Sequence, residues 1–153
     1  MSPLHGADDR QKALDGSESA TRALAMAADL ALRYGATLHL VHVIPRPMVV
    51  SEGLKEFARA ERVDLPVAVA MSAQGQAIVA AGQASAAAKG AHHVKTEVLT
   101  GDPAERLLEY AREQAVDLVV VGRRGVGQIR GLLMGSVSWK VNSLAECPVL
   151  TVR

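Results

Sequence analysis

The sequence predicts a single α/β domain in which a parallel five-stranded sheet lies between two layers of helices. The length of 153 residues suits one domain. Helical and strand-like segments alternate along the chain, with a dozen or more residues between successive strands, which is typical of parallel strands joined by crossover helices. Apolar residues make up 49% and charged residues 22% of the chain, as in ordinary globular proteins.

The first predicted strand is the weakest element. Residues 9–15 read DRQKALD and contain two apolar residues, so either this strand is very short or the centre of the sheet is compromised. We assign residues 1–12 to a leader, which is either native or poorly ordered, and residues 13–153 to the domain. A helix is predicted over 17–34, because small and apolar residues recur on one of its faces.

The middle of the chain predicts a strand over 37–44, ended by two prolines. Residues 48–70 are interpreted as a variable excursion, in which Pro66 acts as a helix breaker. An alanine-rich helix is then predicted over 72–89, weakened by Gly75 and Gly82. A half-exposed strand follows over 94–99.

The third helix has the clearest predicted start. Asp102 offers an N-cap acceptor, Pro103 suits the first helical position, and Glu105 stands where a capping box places its acid. The near-continuous apolar run 117–121 predicts a strand covered on both faces. A glycine-rich loop over 122–135, a helix over 136–146 and a strand over 148–153 complete the predicted domain.

Composition excludes several functional classes. The net charge of +1 provides no basic field for a nucleic-acid backbone, and an aromatic content of 3% provides few stacking platforms. A single cysteine, Cys147, excludes an intramolecular disulfide. His39 and His42 are predicted on opposite faces of one strand, where they cannot share a metal. Because no segment approaches 18 consecutive apolar residues, we expect a soluble, cytoplasmic protein without membrane insertion.

The loop from Gly122 to Ser138 is the most informative segment. Glycines allow a backbone to approach an anion closely, and the free amides at a helix start attract phosphate. Ser136 is the predicted N-cap, with its hydroxyl and the amides of Val137 and Ser138 directed at phosphate oxygens. The alternative is a surface loop whose glycines only serve its turns. The spacing matches neither a P-loop nor the G-x-G-x-x-G fingerprint of dinucleotide-binding folds.

Four segments together resemble the universal stress protein family. The spacing Gly122-x2-Gly125-x9-Gly135-Ser136 matches the family's nucleotide motif, G-2x-G-9x-G-[S/T]. The run 14–18 (LDGSE) resembles the end of the family's first strand, and TLHLVHVI resembles its second strand. The runs 101–103 (GDP) and 147–152 (CPVLTV) resemble its third loop and last strand. The resemblance covers about residues 13–153 apart from 48–70, and it implies a Rossmann-like, nucleotide-alpha-hydrolase-like fold.

The resemblance also implies a ligand, ATP, either alone or with Mg²⁺. Asp15 matches the family's acidic residue near the ribose and phosphates, and Val43 matches the residue whose backbone meets adenine. The ribose and phosphate side would be lined by Val121, Gly122 and Gly125. The phosphates would lie at the start of the last helix, against Gly135, Ser136, Val137 and Ser138. The sequence predicts no catalytic residue and no protein-held metal.

The predicted function is therefore nucleotide binding in a stress-response or regulatory role. Any ATP hydrolysis should be slow, because no general base is evident. The weak first strand supports an alternative: a nucleotide-independent interaction module of the same fold that regulates a transporter or kinase. An enzyme acting on adenylates is a third, less favoured reading. A homodimer through the C-terminal strand is expected, because that strand has an exposed edge and the resemblance implies the same pairing.

Overall fold

A computed structural model describes residues 18–45, 64–123 and 134–153. Helices and strands alternate in these ranges as predicted. In chain order the elements are α1 (Glu18–Tyr34), β1 (Leu38–Ile44), α2 (Asp64–Ala88), β2 (Val94–Thr100), α3 (Pro103–Glu113), β3 (Val119–Gly122), α4 (Ser136–Leu144) and β4 (Val149–Val152). The predicted α/β class is therefore confirmed.

The described strands form two parallel pairs. Strand β1 pairs with β2 from Leu38 opposite Val94 to Ile44 opposite Thr100. Strand β3 pairs with β4 along their whole lengths. Within the described ranges these pairs are two separate two-stranded sheets. The strand predicted to end at Asp15 lies outside those ranges, as does the leader 1–12, so the five-stranded sheet stays a prediction.

Helices cover both faces of β1. The ring nitrogen Nδ1 of His39 lies 2.9 Å from the Tyr110 hydroxyl of α3. His42 faces α2, where its ring atom Cδ2 lies 3.3 Å from the position that a Cβ on Gly75 would occupy. The prediction that the two histidines point to opposite faces is thus confirmed. The helix–strand–helix arrangement gives this half of the molecule three layers.

Helix α2 begins earlier than the sequence predicts. Its first residue is Asp64 rather than residue 72, and it ends at Ala88. Pro66 therefore lies in the first turn, where backbone N–H groups have no helical acceptor and proline is tolerated. The interpretation of Pro66 as a breaker is wrong for that reason. Gly75 and Gly82, expected only to weaken the helix, are buried where it packs closely against side chains of β1 and β2.

Helix α3 starts as the sequence predicts. Asp102 is the N-cap and its carboxylate accepts a hydrogen bond of 3.0 Å from the amide of Glu105, while Pro103 is the first helical residue. This amide bond is the main cause of a lowered pKa for the Asp102 carboxyl, and the charge of Lys140 on α4 lowers it further. The cap thus fixes the start of α3 beside α4.

Candidate functional site

The ends of the glycine-rich loop meet where β3 stops and α4 starts. The amide of Arg123 donates to the carbonyl of Val152 (2.7 Å), which extends the β3–β4 pairing by one bond. The amide of Gly135 then donates to the carbonyl of Arg123 (2.8 Å). Residues 123 and 135 are therefore neighbours in space. Gly125 lies between them in the sequence and outside the described residues.

The start of α4 contains three amides that have no acceptor inside the helix. Gly135 is the N-cap, with an extended backbone and no side-chain cap, and its carbonyl accepts the first helical bond from Trp139 (2.9 Å). Ser136 is the first helical residue, so the predicted N-cap role of Ser136 is wrong. Gly135, the residue before it, takes that role, since glycine also serves as an N-cap. The amides of Ser136, Val137 and Ser138 have no acceptor within the helix and lie at its positive end.

Ser138 holds this helix start onto β3. Its side chain is buried, and its hydroxyl lies 2.5 Å from the carbonyl of Gly122 and 3.2 Å from that of Arg123. A hydroxyl has one proton to donate, and here that proton is directed at backbone carbonyls. The expected contact of Ser138 with phosphate is therefore available through its amide.

Gly122 is needed for close approach of the start of α1. A Cβ placed on Gly122 would lie 2.6 Å from Ser19 Oγ, 2.8 Å from the Ser19 carbonyl carbon and 2.9 Å from the Ala20 nitrogen. Two of these are backbone atoms, which a side-chain rotation does not move. The sequence did not identify Ser19 or Ala20 as neighbours of the motif, because nothing in their local pattern shows which glycine they meet.

The other predicted site residues are less directly connected. Val121 is half-buried in β3, one residue before Gly122. Val43 is buried near the carboxyl end of β1, opposite Leu99 of β2. Asp15 lies outside the described residues. The structure therefore brings together Gly122 and residues 135–138, and it places Val43 on the other strand pair.

A groove on the described surface lies away from this site. It has a volume of about 540 Å³ and runs between the C-terminal part of α3 and the turn that joins α4 to β4. Its lining includes Leu108, Arg112, Leu144 and Cys147. Because these residues lie at the opposite end of α4 from its free amides, the groove is separate from the candidate phosphate site.

The family is decided by comparison with known proteins. The model of the universal stress protein family matches residues 12–153. The chain belongs to this family. The Bacillus subtilis universal stress protein YxiE is 34% identical over 142 residues, which cover 92% of this chain and 95% of that relative. The resemblance inferred from the glycine spacing is thus confirmed.

Solved structures of universal stress proteins share the fold. The universal stress protein UspA from Lactobacillus plantarum superposes with a TM-score of 0.70 at 28% identity, covering 91% of this chain and 92% of that one. A universal stress protein in complex with cAMP superposes with a TM-score of 0.64, also at 28% identity, covering 91% and 90%. An adenine nucleotide is thus bound by a relative of the same fold.

The described ranges of this universal stress protein can be searched for a metal site and for a membrane-spanning helix. Among residues 18–45, 64–123 and 134–153, no group of three or more histidine, cysteine, aspartate or glutamate side chains is placed to hold a metal ion. None of the helices described there has the length and apolar character needed to span a bilayer.

Proposed function

We propose that this universal stress protein binds an adenine nucleotide, with ATP as the expected ligand and its phosphates at the start of α4. The observation that carries the proposal is the group of three amides of Ser136, Val137 and Ser138, which are free of helical bonds. They lie at the end of a strand, where α/β folds bind ligands. Backbone amides and the positive helix end match the negative charge of phosphate.

The remaining predicted residues would bind the nucleoside. The backbone of Val43 would meet adenine, and Asp15 would lie by the ribose and phosphates. Between them, Val121, Gly122 and Gly125 would line the ribose and phosphate side. Gly135 has its own amide bonded to Arg123, so we expect it to leave room for the phosphates rather than donate to them. The cAMP-bound relative supports an adenine ligand.

We expect binding, not turnover, to be the function. Mg²⁺ would arrive with ATP, held by the phosphates. Hydrolysis would be slow without a general base or a residue that positions water. The nucleotide state would then regulate conformation or partner choice. The homodimer and the cytoplasmic location stay predictions.

The test is calorimetric titration of nucleotide-stripped protein with ATP and Mg²⁺, with Gly135→Val as the variant. Gly135 has φ −70° and ψ 159°, a backbone that any residue adopts, so the variant should fold. A branched side chain at the N-cap would obstruct the path to the three amides. We expect micromolar binding by the wild type and at least a tenfold loss in the variant, which is about 1.4 kcal/mol.

A matched control lies at the other end of the same helix. Ala145 is the C-cap, with a similar extended backbone of φ −67° and ψ 140°, so Ala145→Val places the same branched side chain away from the amides. It should bind ATP like the wild type. Trp139, whose side chain is largely exposed one turn into α4, is the single tryptophan and provides a fluorescence signal in the same titration.

Two results would redirect the proposal. If the protein binds cAMP but not ATP, the proposed adenine-nucleotide site stands and ATP is replaced by cAMP as its ligand. No binding of any adenine nucleotide by well-folded wild type would overturn the proposal and favour the nucleotide-independent interaction module.

A further inference from the structure

The side chain of Asn142 bridges α4 and β4. Its nitrogen Nδ2 donates to the carbonyl of Ser138 (2.8 Å) and to the hydroxyl oxygen of Thr151 on β4 (2.7 Å). The carbonyl of Ser138 can only accept, so the atom that faces it must be the nitrogen rather than Oδ1. An amide nitrogen has two protons, one for each acceptor. Asn142 thus connects the helix that starts at the candidate phosphate site to the last strand.

The residue reached by this bridge is the one that holds the helix start. The backbone carbonyl of Ser138 accepts the bond from Asn142. Its hydroxyl shares one proton between the carbonyls of Gly122 and Arg123, of which Gly122 is the nearer. The amide of Arg123 is bonded in turn to Val152 on β4. Helix α4 is therefore held at two points, near its start through Ser138 to the end of β3 and near its end through Asn142 to β4.

Because α4 is short, its contact with β4 through Asn142 is important for its orientation. The helix has nine residues, and its buried residues are Ser138 and Val141. With so little buried surface, packing alone constrains its tilt and rotation weakly. A small rotation would turn the amides of residues 136–138 away from a bound phosphate, since hydrogen bonds weaken steeply with misalignment.

We propose that Asn142 is a positioning residue for phosphate binding: by tying α4 to Thr151, it holds the helix-start amides in the direction that phosphate requires. This inference rests on the proposed nucleotide site. Asn142 itself touches no phosphate in this arrangement and acts through the orientation of α4. Its contribution therefore appears in the binding of phosphates and not in the binding of the nucleoside.

The experiment compares ATP and adenosine binding in wild type, Asn142→Ala, Thr151→Val and the double variant, by calorimetry on the full chain. Valine has the shape of threonine without the hydroxyl, so Thr151→Val removes the acceptor and keeps a strand-forming side chain. Each single variant should bind ATP about three- to tenfold more weakly, as for loss of one hydrogen bond, and bind adenosine unchanged. The double variant should lose no more than the larger single loss, because both changes remove one bridge.

Two variants separate the bridge from general effects on the helix or strand. Ser143 also bonds a carbonyl one turn back, that of Trp139 (2.8 Å), and this bond stays within α4. Ser143→Ala should therefore bind ATP as the wild type does. Thr151→Ser keeps the hydroxyl and should restore most of the ATP affinity lost in Thr151→Val, which a merely structural role of residue 151 does not predict.

The outcomes distinguish this inference from the proposed function. If wild type binds ATP and Asn142→Ala binds it equally well, the inference fails and the nucleotide site stands. Losses that add in the double variant, or an equal loss of adenosine binding, also overturn the inference. If wild type binds neither ligand, the proposed function fails and the inference fails with it.

Discussion

Gly122 lies where the start of α1 leaves no space for a side chain. Changing Gly122 to alanine should destabilise the fold by about 1–3 kcal/mol, because backbone atoms of Ser19 and Ala20 lie under 3.0 Å from the added Cβ. Urea unfolding of the nucleotide-free protein measures this loss. Gly82→Ala is the control: its Cβ would meet Leu40 Cδ1 at 3.2 Å, the movable end of a side chain, and alanine favours a helix. A Gly122→Ala variant as stable as Gly82→Ala would contradict this packing.

Two histidines of β1 make stability depend on pH. Burial lowers the pKa of His42, and burial together with the charge of Lys95 lowers the pKa of His39. At these two histidines the unfolded chain therefore binds protons more tightly than the folded chain. The stability that the neutral histidines contribute is fully present above the unfolded pKa of about 6.5. It is lost as pH falls through that value towards the lower pKa of the folded state. Asp102 contributes at lower pH. Its carboxyl pKa is lowered in the folded state, so the stability from its carboxylate is lost only when that group is protonated in the acid range.

We accordingly expect a lower melting temperature at about pH 5.5 than at about pH 7.5. His42→Gln, which carries no titrating group, should reduce the difference between the two melting temperatures. The measurement is thermal unfolding by circular dichroism in buffers of equal ionic strength. An unchanged difference in His42→Gln would assign the effect to other groups.

At the scale of elements, the cap of α3 is a separable source of stability. Asp102→Ala removes the acceptor for the Glu105 amide and should cost about 1 kcal/mol. Asp102→Asn keeps a capping oxygen and loses the charge that faces Lys140 at 3.5 Å. Because that ion pair is exposed, Asp102→Asn should remain close to wild type. Urea unfolding of both variants separates the two contributions, and equal losses would show that the charge, not the cap, matters.

An element can be predicted from the sequence when the contacts that define it lie within a few residues of each other. Local signals sufficed for α3, because Asp102, Pro103 and Glu105 interact within one turn. They failed at α2, where Pro66 is acceptable only because the helix starts just before it, and at α4, where glycine rather than Ser136 is the cap. The bridge from Asn142 to Thr151 joins two elements, so neither residue carries a local signal for it.

The candidate site shows the same division. The glycine spacing identified Gly122 and Gly135 as parts of one motif, and the structure brings the two ends of the loop together through the Arg123 carbonyl. The spacing did not reveal that the Ser138 hydroxyl is directed at β3, because that depends on how α4 packs. The glycine spacing thus located the motif, whereas the packing of α4 determines that the Ser138 hydroxyl bonds backbone carbonyls at the end of β3.

At the scale of the whole molecule, the outer edge of β4 is the surface through which we expect two copies of the chain to pair. The carbonyls of Pro148 and Val152 accept bonds from β3. Backbone groups alternate in direction along a strand, so those of Val149 and Thr151 point to the opposite edge. Within the described residues that edge has no strand partner. A second copy of the chain that pairs there would bury it in a symmetric interface.

We therefore expect light scattering at micromolar concentration to give twice the chain mass of 16.1 kDa. Val149→Pro removes one outward amide without removing a bond to β3, so this variant should run as a monomer. Val149→Ala keeps the amide and should remain dimeric, which separates loss of the hydrogen bond from loss of the side chain. A monomeric wild type, or a Val149→Pro variant that stays dimeric, would exclude pairing through β4.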